Sequence, residues 1–138
     1  MNKKKQIFII GGGQTAAYAA KEIRSSDINS DITIISDEKY LPYEKPPLSK
    51  DFLLDKINFN NLLFFSEDFY KEKKINFVPN TKITKVDFDN KKISSKTKNF
   101  NYDKLLIATG SSNRHLRINN SPILPEDNII YLRNSEES

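Results

Sequence analysis

A three-layer α/β fold around a parallel sheet is predicted by three features of the 138-residue sequence. Four short apolar, β-branched runs fall near residues 5–10, 31–35, 75–78 and 104–108, without the alternation of a strand that is wet on one side. Runs of that kind suit strands covered on both faces. Turn or helix signals bound each run, and an alanine-rich helical segment separates the first two, which makes a βαβ unit with an expected right-handed crossover.

In chain order, Ile7-Phe8-Ile9-Ile10 is the first strand and stops at Gly11-Gly12-Gly13. Thr15 to Arg24, with Ala16, Ala17, Ala19 and Ala20, reads as a helix ending near Ser25-Ser26. Ile32-Thr33-Ile34-Ile35 is the second strand. Residues 36–47 form a loop with three prolines, and Ser49 is the expected N-cap of a short helix through about Leu54. Ser66-Glu67-Asp68 opens another helix running to about Lys73, since a cap residue followed by acids complements the helix dipole. Ile75 to Val78 is the third parallel strand. Ile83, Val86, Phe88 and Ile93, interrupted by the turn-prone Asp89-Asn90, predict a small antiparallel excursion continuing towards Tyr102. Leu105-Leu106-Ile107-Ala108 is the last buried strand, ending at Thr109-Gly110.

Composition narrows the chemistry. The sequence has no cysteine, which excludes a disulfide scaffold, a Cys-ligated metal or iron–sulfur site and a thiol nucleophile within it, and its single His115 excludes a multi-His metal site. No metal site is expected. The net charge of +4 rests on lysine, 18 of the 22 basic residues, scattered between apolar segments with few arginines. That pattern describes solvated faces better than a polyanion-binding surface, so no nucleic-acid partner is expected. No apolar run approaches a membrane span, and Met-Asn-Lys-Lys-Lys leads into a strand rather than a signal-peptide core, so a cytoplasmic location is the default expectation.

The chemistry concentrates at Gly11-Gly12-Gly13-Gln14-Thr15-Ala16, a G-x-G-x-x-A turn between strand and helix. Small residues are required there: Gly11 for the tight turn, Gly13 so that the backbone can approach a pyrophosphate, and Ala16 for close packing of helix on strand. The helix N-terminus offers free N–H groups to phosphates. A glycine turn in this place can also be purely structural, but the βαβ context favours dinucleotide binding in a Rossmann-like domain. Asp37 follows the second strand and can accept hydrogen bonds from a ribose, with Glu38 as the neighbouring alternative. The proline-stiffened loop from Leu41 to Lys50 carries Lys45 and Lys50. It is either an ordinary surface loop or a ligand-facing one, and its spacing alone does not choose.

Taken together, the glycine turn, Ser36-Asp37-Glu38, Leu41-Pro42-Tyr43 with Pro46-Pro47-Leu48-Ser49-Lys50, the segment from Tyr102 to Gly110 and Tyr131-Leu132-Arg133 resemble the N-terminal part of FAD-dependent, NAD(P)H-using ferredoxin reductases. These are the rubredoxin, putidaredoxin and ring-hydroxylating dioxygenase reductases and the apoptosis-inducing-factor group. The resemblance implies that Gly11, Gly13, Thr15 and Ala16 hold the FAD pyrophosphate, with Gly12 and Gln14 in the same turn. It implies further that Asp37 takes the adenosine ribose, that Lys45 and Lys50 stand on the flavin side and that Ile83 lies near the adenine. Ala108-Thr109-Gly110 would pass beneath the cofactor and Arg133 return to it. Lys45 stands where the family commonly has Arg, which keeps the charge and loses the bidentate fork. Ser111-Ser112 stand where a further glycine often follows.

On this resemblance residues 1–110 are the N-terminal part of an incomplete FAD-binding domain, and 111–138 a linker toward a missing NAD(P)H-binding domain. The sequence has only four glycines and no second glycine fingerprint, so it is expected to be a fragment or a truncated reading frame, inactive alone. The implied function is passage of electrons from NAD(P)H through FAD to a ferredoxin or similar iron–sulfur carrier. No general acid or base is required of this segment, so no catalytic residue is assigned, and the absence of cysteine sets it apart from reductases with a redox-active disulfide. The alternatives are a nucleotide-binding module without turnover of its own, a disulfide-independent NADH reductase of the apoptosis-inducing-factor type, and an NAD-using Rossmann domain, against which Pro46-Pro47-Leu48-Ser49-Lys50 argues.

Overall fold

The structure is a computed structural model, described here for residues 3–114, 117–118, 121–122 and 129–138; His115 lies outside them. Two compact units form, one from residues 1–43 and 63–110, the other from 44–62 and 111–138.

The first unit is built on a parallel sheet of β1 (Gln6–Ile10), β2 (Asp31–Ile35), β3 (Ile75–Val78) and β7 (Lys104–Ile107), in the order β3-β2-β1-β7. Ile7 pairs with Ile32 on one side and with Lys104 on the other, so β1 is central and the strand order reverses there. Coverage on both faces explains the unbroken apolar runs of β1 and β2, whereas β7, expected to be buried, is an edge strand whose Ile107 is 52% exposed. Ile7, Ile9, Ile32 and Ile34 pack on one face with Ala16 and Ala20 of α1 (Gln14–Ser26), Tyr70 of α2 (Glu67–Glu72) and Ile75. Phe8, Ile10 and Ile35 point to the other face, where Ile93 and Tyr102 meet them. That face is covered by an antiparallel sheet of β4 (Ile83–Asp87), β5 (Lys92–Ser95) and β6 (Asn99–Asn101), completing three layers. Phe8 and Phe100 touch across it with ring centroids 5.4 Å apart. Each fully buried isoleucine contributes about 1.5–3 kcal/mol relative to an exposed one.

Local signals set the element ends. Ser66 caps α2 by accepting the Phe69 N–H at 3.2 Å, and Glu67 pairs with Lys71 at 2.8 Å one turn on. Asp27 ends α1 and turns the chain into β2, accepting from the Ser30 hydroxyl at 2.5 Å and from the Ser30 and Asn29 N–H groups. The Ser30 hydroxyl, then those N–H groups, hold its carboxyl below the ordinary value. Arg24 joins the two helices: its Nε and Nη2 donate to the Lys73 and Lys74 carbonyls at 2.8 and 3.0 Å. In the antiparallel hairpin, Asp87 accepts the Asn90 N–H at 2.9 Å and Lys91 takes a left-handed φ of 48°. Phe88, expected within the strand pattern, falls in this turn and is 67% exposed.

The second unit departs from the sequence expectation in one place. The expected helix from Ser49 to Leu54 is instead a 3₁₀ helix over Pro46–Ser49 followed by turns. Proline fixes φ at a helix start and lacks an N–H that would go unpaired there anyway, so Pro46-Pro47 start the helix and Ser49 ends it. A second 3₁₀ helix spans Phe59–Leu62, and β8 (Arg117–Ile118) and β9 (Ser121–Pro122) form a short hairpin. Within this unit the Lys45 Nζ donates to the Arg133 carbonyl at 3.4 Å and the Ser138 hydroxyl to the Leu48 carbonyl at 2.8 Å.

Candidate nucleotide-binding site

The carboxyl ends of β1, β2 and β7 lie side by side, and the glycine turn, the acidic segment after Ser36 and Ala108-Thr109-Gly110 leave from them. Backbone bonds continue past the strands: the Gly11 N–H donates to the Ile35 carbonyl at 2.8 Å and the Ala108 N–H to the Ile10 carbonyl at 2.8 Å. Gly11 is thereby wedged between neighbours. Its φ is 122°, and a Cβ there would overlap the Ala108 carbonyl oxygen. Gly12 faces a different obstacle, since a Cβ on it would overlap the Ser36 Oγ and come 2.9 Å from the Ser36 Cβ. At Gly13 a Cβ would meet nothing within 4 Å. The protein's own packing thus demands a glycine at 11 and 12 and not at 13, where the open space borders the start of α1. That helix begins with Gly13 in extended conformation as N-cap, no side chain capping it and no acid in its first turn. Ala16, Ala17 and Ala20 are buried, which brings the helix close to the sheet, while Gln14 and Thr15 are exposed.

The two acids after β2 differ. Glu38 receives the Tyr43 hydroxyl at 2.6 Å. Asp37 is exposed, and its carboxylate has no hydrogen-bond or ion-pair partner among the described residues. Ala108 is half-buried beside Gly11, and Thr109 and Gly110, with φ 68° at Gly110, are exposed beyond it. Ile83 stands at the start of β4, partly buried against the cluster that includes Ile35. Of the residues in the second unit, Lys45 lies against the Arg133 backbone and Lys50 is exposed after the Pro46–Ser49 helix. Ser36, a small polar residue at a strand end, is part of the Ser36-Asp37-Glu38 segment but has no role assigned by the sequence. Its only sequence signal is that it follows an apolar run and precedes two acids. Among the described residues no cluster of three or more His, Cys, Asp or Glu side chains could hold a metal ion, and no helix is long and apolar enough to cross a membrane.

A parallel sheet whose order reverses at its first strand, with a glycine turn and an uncapped helix N-terminus at that point, defines a Rossmann-like α/β domain. Residues 5–137 match the pyridine nucleotide-disulphide oxidoreductase family, and the chain belongs to it. Among its relatives, the rubredoxin-NAD(+) reductase of Ectopseudomonas oleovorans is 35% identical over 133 residues, covering 96% of this chain and 34% of the relative. The cytosolic monodehydroascorbate reductase 4 of Oryza sativa subsp. japonica is 36% identical over 143 residues, covering 94% and 33%. A solved ferredoxin reductase from Rhodopseudomonas palustris superimposes with a TM-score of 0.83 at 31% identity, covering 97% of this chain and 32% of that one. The chain thus spans about a third of the length of the relatives it matches.

Proposed function

We propose that this chain is the FAD-binding part of an oxidoreductase that passes electrons from NAD(P)H through FAD to a ferredoxin-type iron–sulfur carrier. The observation that carries the reading is the contrast at the glycine turn. Gly13 is the one glycine of the three that no described protein atom requires, and it begins a helix whose N-terminus no described side chain caps. A pyrophosphate approaching the backbone supplies the missing reason. Bound FAD would supply the hydride-accepting, electron-releasing chemistry. The protein's residues bind and orient: Gly11, Gly12, Gly13, Gln14, Thr15 and Ala16 at the pyrophosphate, Asp37 at the adenosine ribose, Ile83 near the adenine, and Ala108, Thr109 and Gly110 beneath. Lys45, Lys50 and Arg133 are the flavin-side residues of this reading, with Lys50 opposing negative charge on the reduced ring. Asp37 rather than Glu38 serves the ribose because the Tyr43 hydroxyl already engages Glu38. Residues 1–110 are in this reading the N-terminal part of the FAD-binding domain, and 111–138 the linker toward an NAD(P)H-binding domain.

The carrier is argued from the rubredoxin and ferredoxin reductases among the relatives, together with a sequence that has no cysteine to relay electrons. The rice relative favours a second acceptor class, a small organic one such as monodehydroascorbate. The test is titration of the purified chain with FAD, followed by flavin fluorescence, with FMN as the control that lacks the adenosine half. Quenching by FAD and not FMN is expected. Equal response to both would remove the glycine turn and Asp37 from the site.

A further inference from the structure

Three glycines stand in a row, and only the middle one is dictated by a side chain. Gly12 takes no left-handed φ, and the nearest obstacle to a Cβ on it is Ser36. Ser36 is 1% exposed and held by three hydrogen bonds to described residues. Its N–H donates to the Val78 carbonyl at 3.0 Å, its carbonyl accepts the Thr81 N–H at 2.7 Å, and its Oγ accepts the Glu38 N–H at 3.1 Å. The last bond closes a local serine turn around Asp37. The far side of that turn is pinned as well, by the Asn80 N–H donating to the Glu38 carbonyl at 3.2 Å and by Thr81, itself buried with its hydroxyl donating to the Pro79 carbonyl at 2.9 Å. Asp37 therefore sits between two anchored residues while its own carboxylate stays uncommitted among the described residues.

We propose that Ser36 is a positioning residue of the nucleotide site, its side chain locking the glycine turn and the acidic turn into one fixed spacing. This rests on the FAD reading above and goes beyond it, since that reading gives Ser36 no part. Two consequences follow from the geometry. The Oγ bond to Glu38 holds Asp37 in place before a ligand arrives, so affinity gains from freedom already lost. The Ser36 side chain fills the volume above Gly12, so residues 12 and 36 are a size-matched pair in which only one partner can carry a Cβ.

The size match gives the test. FAD dissociation constants are measured by fluorescence titration for the full chain and for Gly12→Ala, Ser36→Gly, Ser36→Ala and the double variants. Gly12→Ala is expected to weaken FAD at least tenfold. In the Ser36→Gly background the same change should cost at least about threefold less than in the unaltered chain, because the new methyl enters the vacated space. Ser36→Ala keeps the Cβ that would lie 2.9 Å from the new one and should not rescue. A second cycle separates positioning from general packing: Ser36→Ala should raise the dissociation constant about fivefold, the fold-change of one net hydrogen bond, and have no effect once Asp37→Ala is present. If Gly12→Ala alone fails to fold, recovery of FAD binding by the Gly12→Ala/Ser36→Gly chain reads the same coupling. Equal cost of Gly12→Ala in both backgrounds, or an undiminished Ser36→Ala cost beside Asp37→Ala, overturns the inference alone. Failure of the unaltered chain to bind FAD overturns it together with the reading it rests on.

Discussion

Replacing Gly13 and Gly11 separately by alanine should divide nucleotide affinity from stability. At Gly13 the backbone is extended, with φ −99° and ψ −168°, which alanine adopts freely, and the added methyl meets no protein atom within 4 Å. Alanine is a poorer N-cap than glycine by up to about 1 kcal/mol, and stiffening the unfolded chain returns about 0.4–1 kcal/mol, so stability should move by less than about 1 kcal/mol. The methyl stands, however, where a pyrophosphate must approach, and the FAD dissociation constant should rise at least about tenfold, or about 1.4 kcal/mol. At Gly11 the effects reverse in kind. A φ of 122° is a region for glycine, costing alanine about 1–3 kcal/mol, and overlap with the Ala108 carbonyl adds about 1–3 kcal/mol of overpacking. A loss of about 2–6 kcal/mol is a large fraction of the about 5–15 kcal/mol that holds an ordinary domain together. Urea denaturation gives the stabilities and fluorescence titration the affinities. The reasoning is refuted if Gly13→Ala destabilises as much as Gly11→Ala, or if Gly13→Ala binds FAD unchanged.

Asp37→Ala should weaken FAD binding by about 1–3 kcal/mol, the range for hydrogen bonds to a charged group, and more than Glu38→Gln does; the reverse order in a titration would transfer the ribose to Glu38. Tyr70, 3% exposed with its hydroxyl unpaired among the described residues, has that hydroxyl pushed up to about 12 by burial, from an ordinary 10.0. Its folded value lies above its unfolded one, so the unfolded chain ionises first and stability is lost as pH rises from about 10 to about 12. Tyr70→Phe should be at least as stable at neutral pH and lose less between those limits, and identical alkaline unfolding of the two chains would refute this. The 138-residue chain, having no second glycine turn to hold a nicotinamide, should not oxidise NADH with added FAD and an artificial acceptor. Turnover at the rate of a full-length relative would show that hydride donors reach the flavin without a further domain.

The parallel sheet was legible because burial on both faces leaves a mark in consecutive residues: Ile7 to Ile10 had no polar member to suggest a wet face. The glycine turn was legible through its spacing, which gives Gly11 and Gly13 separate parts, whereas the reason for Gly12 lies in the Ser36 side chain. Nothing local could have shown the Ser36 contact, which joins residues 24 apart through two strand ends. The contact that distinguishes Glu38 from Asp37, the Tyr43 hydroxyl on the Glu38 carboxylate, likewise comes from a loop of no regular period. Pro46-Pro47 misled in a specific way. A serine after prolines resembles a cap, yet the prolines had already begun the helix that Ser49 ends. The grouping of residues 44–62 with 111–138 is carried by bonds such as Leu48 to Ser138, 90 residues apart, for which no short pattern exists.

The central place of β1 also orders events in time. It is made before both of its neighbours and pairs with one on each edge, yet the link from Gln6 to Asp103 spans 97 residues. At about 5–20 residues per second of synthesis, the edge that β7 will cover stays open for roughly 5–20 s. During that interval β2 can already pair on the other side, since it follows within one short helix. Lys3, Lys4 and Lys5, directly before Gln6 at the start of β1, place like charges beside the waiting edge and disfavour its pairing with the same strand of another nascent chain.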